Sequence, residues 1–461
     1  MNTTLPAAFL ARITQQLGEQ TFAFTEALTT SPIVSIRWNP KKRGLQTTTM
    51  PVLWHTQGEY LAQRPSFTQD PLFHAGVYYV QEASSMLIHA FLEAEKYERV
   101  LDACAAPGGK STLLAAALSS DTLLISNEVI RSRAAVLAEN ITRWGSTNTI
   151  VTNNDVTDFG KLTQFFDCIL IDAPCSGEGM FRKDKDSIQE WSEENVAICS
   201  ARQRRILADL LPSLALGGHL IYSTCTYSLA ENEEVIQWIL TNFPEMELAP
   251  IVLPTEYGAT PVNIEKTENA AYRCYPHLTQ GEGFFVCRLR KKGEKEEGES
   301  WELEEMTKHK KAKLDKHTKK PAISIEKQIL PFCGEQVAAS NIEIFDDNVF
   351  YFSEAVKNNL PFLKGLHVLK KGTLLGKIQG NELTPSHELA MSEVLASGLL
   401  SYELDLATAL SYLQKNDLPN ESEFTKGWIL ATYQGCALGW LKAAGNRLKN
   451  HFPINWRIRN L

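Results

Sequence analysis

The stretch Tyr97-Glu98-Arg99-Val100-Leu101-Asp102-Ala103-Cys104-Ala105-Ala106-Pro107-Gly108-Gly109-Lys110-Ser111 decides how this chain folds. Its first half, YERVLDA, is a short apolar run of strand type, and from Ser111 to Leu118 a helical pattern begins. Between them lies Cys104 to Lys110, where glycines let the backbone approach a ligand and the coming helix offers unpaired N–H groups. Two ligand classes compete for such a loop. Gly109-Lys110-Ser111 imitates the end of a phosphate-binding P-loop, but that motif needs a glycine five residues before Gly109, where Cys104 stands. A nucleoside fits better. In dinucleotide-type folds an acidic residue about twenty positions on, at the end of the next strand, binds ribose hydroxyls. Here the strand LLIS ends at Asn127-Glu128, 18 residues after Lys110. The lesser alternative for Glu128 is a surface carboxylate at a helix start. Asp155, just after TIVT, stands where an adenine-binding residue would sit, and also where turns commonly place an aspartate.

Outward from this point, strands and helices alternate. After YERVLDA come the strands Leu123 to Ser126, Thr149 to Thr152, Phe166 to Ile171, His219 to Ser223 and Phe284 to Leu289, with helices at Arg131 to Trp144 and Val196 to Leu214. This alternation predicts a doubly wound, mostly parallel, Rossmann-like α/β sheet over 91–290. Residues 1–90 read as helices followed by short strands around SIRWNP and MPVLW, an N-terminal extension. Residues 291–320 carry both signs of charge and almost no core residues, the composition of a linker. From 321 to 461 short apolar runs return, predicting a separate C-terminal α+β domain, in which Gly435, Gly439 and Trp440 suggest tight turns and a packed barrel.

Two further motifs fall at strand ends. Asp172-Ala173-Pro174-Cys175-Ser176-Gly177-Glu178-Gly179 follows CILI, and Tyr222-Ser223-Thr224-Cys225-Thr226-Tyr227-Ser228 follows HLIY. Ligands of open α/β sheets bind beyond the carboxyl ends of strands, so both cysteines are expected at the site. Ser228 with Glu231 three residues later has the pattern of a capping box. Two thiols and a carboxylate suit one difficult reaction. Cytosine C5 is a poor nucleophile until a thiolate adds to C6, a carboxylic acid near N3 supports that addition, and a base must then remove the C5 proton. No histidine stands beside either cysteine in the sequence to form a protease-like pair. Lys110 reads as a cofactor or RNA contact or as a surface residue, and Arg133 as surface. Tyr222 and Phe181 read as stacking partners for a flipped base or as core.

Composition sets outer bounds. The chain has 461 residues, 44% hydrophobic and 22% charged, values of a globular protein long enough for two or three domains. No run approaches the roughly 18 apolar residues of a membrane span, and the N-terminus lacks the plan of a secretion signal, so a cytoplasmic location without membrane contact is expected. Nine cysteines without metal spacing argue against both a disulfide framework and a zinc site. Cys168, Cys199, Cys274, Cys287, Cys333 and Cys436 read as structural. The net charge of −8 is unusual for a nucleic-acid enzyme, yet local basic surface decides such binding. Three basic groups stand out: Arg182, Lys183 and Lys185; Arg202, Arg204 and Arg205; and the acid-free C-terminal stretch with Lys426, Lys442, Arg447, Lys449, Arg457 and Arg459.

The motifs CAAPGGKS, NEVIRSRAAVLAENITRWG, DAPCSGEGMFRKD and YSTCTYSLAENEEVI together resemble the Sun/Nop-type RNA (cytosine-5) methyltransferases, bacterial small-subunit rRNA enzymes of the RsmF/YebU kind. LPAAFLARITQQLG with SIRWNP resembles that group's N-terminal extension, and GWILATYQGCALGWLKAAGNRLKNHFP its PUA-like RNA-binding segment. The resemblance implies that Cys225 is the nucleophile and that Cys175 assists product release. It implies further that Cys104, Ala105, Ala106, Pro107, Gly108, Gly109, Lys110, Glu128, Asp155 and Asp172 contact S-adenosylmethionine or the target base. The implied partner is small-subunit rRNA, with the same reaction on tRNA as the alternative, and with no DNA and no obligatory protein partner.

Overall fold

The computed structural model describes residues 5–43, 49–294, 324–380 and 382–459. The expected linker lies outside the described residues from 295 onward. The N-terminal part packs the helices Ala7–Leu17 and Thr21–Ala27, then a three-stranded antiparallel sheet of β1 (Val34–Trp38), β2 (Gly58–Leu61) and β3 (Tyr78–Val80). MPVLW is not a strand, contrary to expectation. Val52 donates to Gly58 O and His55 donates to Val52 O, folding the segment into a turn that leaves only the isolated bridge between Pro51 and Glu59.

The central sheet contains β4 (Arg99–Asp102), β5 (Leu123–Asn127), β6 (Thr149–Thr152), β7 (Phe166–Asp172) and β8 (Leu214–Thr224). These run parallel in the order β6-β5-β4-β7-β8. Strands covered on both faces should read as continuous apolar runs, and every residue of β4, β5 and β6 is buried. Alternate residues feed opposite cores. Leu101, Ile125, Ile169 and Ile171 pack on one face with helix Glu193–Leu210, while Val100, Leu124, Cys168 and Leu170 pack on the other with helix Gly109–Ala117.

The sheet is more mixed than the sequence suggested. Antiparallel strands β9 (Met246–Leu248), β10 (Thr260–Ile264), β11 (Thr267–Cys274) and β12 (Phe284–Lys291) extend it beyond β8. β11 escaped sequence reading because its polar start, TEN, carries none of the apolar alternation of a strand. Past residue 324 the chain builds a four-stranded sheet of β13 (Ile342–Phe345), β14 (Asn348–Tyr351), β16 (Thr373–Gln379) and β17 (Glu382–Pro385). Between β14 and β16 it sends β15 (Val368–Lys370) back to pair antiparallel with β6, and it lends Phe352, Val356 and Leu363 to the central core. A five-stranded sheet follows, made of β18 (Ser401–Glu403), β19 (Leu418–Pro419), β20 (Trp428–Tyr433), β21 (Cys436–Ala444) and β22 (Arg447–Asn450). Gly435 takes φ +73° in the turn between β20 and β21, and Trp440 is buried.

Candidate active site

Strand order reverses at β4, whose neighbours are β5 and β7, so the crevice beyond these carboxyl ends is the expected ligand position. Asn127 organises its floor by donating to Ala103 O and Asn154 O, which ties together the ends of β4, β5 and β6. The loop Cys104 to Gly108 then enters helix Gly109–Ala117, with Gly108 at φ +117°, a conformation that L side chains rarely adopt. Arg133 is exposed, as expected of a surface residue, and it also donates to Ala106 O and lies 3.4 Å from Glu128, which braces the loop. A residue that sequence reading missed holds the loop from behind. Arg37, fully buried on β1, donates to Gly109 O and Thr112 Oγ1, and its burial lowers the guanidinium pKa to about 9.

The donors and acceptors here fit a nucleoside bearing an amino-acid tail. Asp102 Oδ2 accepts from Ser111, while Oδ1 is buried without a partner among the described residues. Burial raises the Asp102 carboxyl to about 7, and a ligand cation would relieve that cost. Glu128 is buried, and its Oε1 accepts from Ile130 N. A carboxylate so placed keeps acceptor capacity for hydroxyl groups. Asp155 is half-buried, caps the turn at Thr157 and faces Arg205 at 3.8 Å.

The two strand-end motifs meet. Asp172 and Ser223 are register partners on β7 and β8, and Ser223 donates to Asp172 Oδ1 at 2.9 Å. On its other side Asp172 pairs with Lys110 Nζ at 2.7 Å. Lys110 is thus an internal partner of Asp172, not a surface residue, and Phe284 lies under its ammonium. Just beyond Asp172 and Ser223, Cys175 Sγ and Cys225 Sγ lie 3.1 Å apart. Their hydrogen bond, and then burial, holds the Cys175 thiol well above the usual thiol range. Cys104 is also raised, by burial, and is unreactive as a thiol.

Two buried glutamates fix the cysteine loops. Glu231 accepts from Ser176 N, Ser176 Oγ and Gln203 Nε2, and Ser176 Oγ also contacts Thr226 Oγ1. The capping box expected of Ser228 and Glu231 therefore does not form, because the carboxylate is engaged with the Cys175 loop and the helix Glu233–Asn242 starts from Asn232. Glu178, itself buried, accepts from Arg12 on the first helix, Trp191 Nε1 and Tyr227 N. Gly179 N donates to Cys225 O, and a Cβ at Gly179 would lie 2.8 Å from that same oxygen. Only glycine permits this approach of the two loops.

Other expectations separate. Phe181 and Tyr222 are buried in the core and do not face a base. Arg182 is buried and paired with Glu282, so it contributes nothing to a basic surface. Lys426, Arg447, Lys449, Arg457 and Arg459 are exposed, whereas Lys442 stacks over Trp428. Cys168, Cys199, Cys274, Cys287, Cys333 and Cys436 are buried thiols, in keeping with structural roles.

A Rossmann-like sheet with a glycine-containing loop after β4 and cysteine loops after β7 and β8 has the fold of a methyltransferase. Comparison with known proteins agrees along most of the chain. The model of the N-terminal domain of 16S rRNA methyltransferase RsmF matches residues 5–83, and that of 16S rRNA methyltransferase RsmB/F matches 89–290. The RsmF first C-terminal domain matches 328–392 and the RsmF PUA domain 399–458. Ribosomal RNA small subunit methyltransferase F of Vibrio vulnificus is 33% identical over 385 residues, covering 82% of this chain and 78% of the relative. The protein of the same name from Aeromonas hydrophila is 34% identical over 423 residues, covering 87% and 84%. A solved methyltransferase homolog protein from Pyrococcus horikoshii superposes with TM-score 0.55 at 33% identity, over 63% of this chain and 96% of that one. The chain belongs to the RsmB/F family of 16S rRNA methyltransferases.

Proposed function

We propose that the protein transfers a methyl group from S-adenosylmethionine to C5 of a cytosine in small-subunit rRNA, through a covalent adduct between Cys225 and C6. The observation that carries this reading is the 3.1 Å contact between Cys175 and Cys225 beside the Lys110–Asp172 pair. When bound along Cys104 to Lys110, Glu128 and Asp155, the cofactor supplies an electrophilic methyl group. The remaining chemistry belongs to the chain. In this reading Cys175, whose thiol the contact raises, is the donor, and Cys225, its own proton released to solvent, attacks C6 as thiolate. The new S–C6 bond pushes an electron pair through the ring, and Asp172, held by Lys110 and Ser223, faces N3 and the exocyclic amine. C5 then takes the methyl group. Once Cys225 is bonded to carbon it no longer accepts from Cys175 as an anion, so the interaction holding the Cys175 proton weakens. Cys175 then releases its own proton to solvent and, as thiolate, takes the C5 proton; the C5–H electron pair re-forms C5=C6, and Cys225 leaves as thiolate. The exposed C-terminal cations and the family's PUA region support RNA as the substrate. No helix among the described residues is long and apolar enough to cross a membrane, and a ribosomal substrate suits a cytoplasmic enzyme.

The test is incubation of the purified chain with tritiated S-adenosylmethionine and separated 16S rRNA, 23S rRNA and tRNA. Label is expected as 5-methylcytosine in 16S rRNA. Label confined to tRNA overturns the substrate, and label at another base or position overturns the chemistry.

A further inference from the structure

Between the N-terminal part and helix Arg131–Trp144 lies a cavity of about 250 Å³ that the mechanism does not use. Its walls are largely aromatic, with Phe67, Phe73, Tyr79 and Trp144 among the lining residues. No acidic residue lines it among the described residues, while two arginines do, Arg64 and Arg143. Arg64 is exposed, lies 5.4 Å from the Phe67 ring centroid, and forms no ion pair among the described residues. Arg143 is held by Glu139 and Asn140, yet its Nε is buried without a partner. The cavity shares walls with the cofactor loop. Asn140 donates to Pro107 O at 2.8 Å, and a Cβ at Gly109 would lie 3.4 Å from the Tyr79 ring.

We propose that this cavity takes one unpaired nucleotide of the RNA substrate, the base against the aromatic walls and a phosphate at Arg64. Aromatic faces stack any base, and a guanidinium fork matches a phosphate, whereas a basic partner would meet only like charge. A purely apolar partner would leave Arg64 unanswered. The inference rests on the RNA-methyltransferase reading and extends it by assigning a second anchoring point for the strand, next to the cofactor loop. The cavity sets how tightly RNA is held and does not enter the chemical step.

The experiment uses the full chain, in vitro transcribed 16S rRNA and tritiated S-adenosylmethionine, with the variants Arg64→Glu and Phe67→Ala. Each is expected to raise the KM for RNA by about 10-fold, the scale of one stacked base. The kcat, the KM for S-adenosylmethionine and the Tm should stay at wild-type values. Phe67→Ala carries no charge change, so its effect separates nucleotide stacking from general attraction. A transcript containing 4-thiouridine should crosslink to the peptide bearing Phe67 in the wild type and not in Phe67→Ala. An unchanged RNA KM in both variants, or crosslinks only elsewhere, overturns the inference while leaving the methyltransferase reading intact. Displacement of an acidic peptide from the cavity with no effect on RNA would assign it to a protein partner and equally overturn the proposal. A wild-type protein that methylates no RNA would overturn the functional reading beneath it.

Discussion

Cys175 Sγ lies 3.1 Å from Cys225 Sγ, although 50 residues separate them in the chain. The adjacency of β7 and β8 brings the loops together, and Gly179, by donating to Cys225 O, sets their spacing. In the proposed reaction Cys175 is the donor in this contact and Cys225 the acceptor and nucleophile. Replacing Cys225 with Ala should therefore reduce methyl transfer to background and leave S-adenosylmethionine affinity, measured by calorimetry, unchanged. Activity near wild type would refute the assignment.

Glu231 organises the Cys175 loop from a distance. It satisfies Ser176 N, Ser176 Oγ and Gln203 with one buried carboxylate whose pKa burial raises. In Glu231→Ala these donors lose their common acceptor and the loop shifts. A misplacement of about 1 Å is worth roughly 100-fold in rate. The kcat should fall on that scale while the KM for S-adenosylmethionine holds, a split visible in steady-state kinetics.

Arg12 joins the first helix to the site through Glu178. Arg12→Ala leaves Glu178 buried and without its cation, although Trp191 and Tyr227 still donate to it. Losing one partner of a buried pair costs about 3–5 kcal/mol. Because the Arg12 side chain is 26% exposed, a loss on the order of 2 kcal/mol is expected in chemical denaturation.

Acid should destabilise the fold through histidines held neutral by burial. His55 and His387 are lowered to about 3, and His74, His219 and His451 to about 4, from an ordinary value of 6.5. Between pH 6.5 and about 4 the unfolded chain binds protons that the native chain refuses, so stability falls as pH falls through that window. The Tm should drop steeply from pH 6.5 to 4. His387→Phe, which keeps a ring between Phe452 and Trp456, should flatten part of that slope.

Asp102 works in the opposite sense. Its carboxyl rises from 3.8 to about 7, so the native state holds a proton that the unfolded chain has lost, and stability declines as pH rises from 4 to 7. Without cofactor, Asp102→Asn should raise the Tm at pH 8 and leave it nearly unchanged at pH 4.

The parts of the site that depend on local pattern are legible in the sequence. The loop after β4, the cysteines after β7 and β8, and Asp172 each follow an apolar strand, so strand position alone puts them on one edge. The roles of Glu231, Glu178 and Arg37 are not legible in this way. Each acts through a partner 55 to 166 residues away, and a buried carboxylate in LAENEE looks no different from a helix cap until the loop it holds is seen. The same limit hides the place of β15, which leaves the C-terminal part to pair with β6. It also hides the fate of Arg182, a cation in a charged stretch that is buried against Glu282.

The central claim is the division of labour between the two sulfurs, and Cys175→Ala tests it most directly. Incubated with 16S rRNA and S-adenosylmethionine, this variant should attack, methylate and then stall, because nothing removes the C5 proton. A covalent protein–RNA species should appear as a slow band on a denaturing gel, and should be absent from the Cys175→Ala, Cys225→Ala double variant. Normal turnover with no slow band, or a band that survives removal of Cys225, would contradict the account.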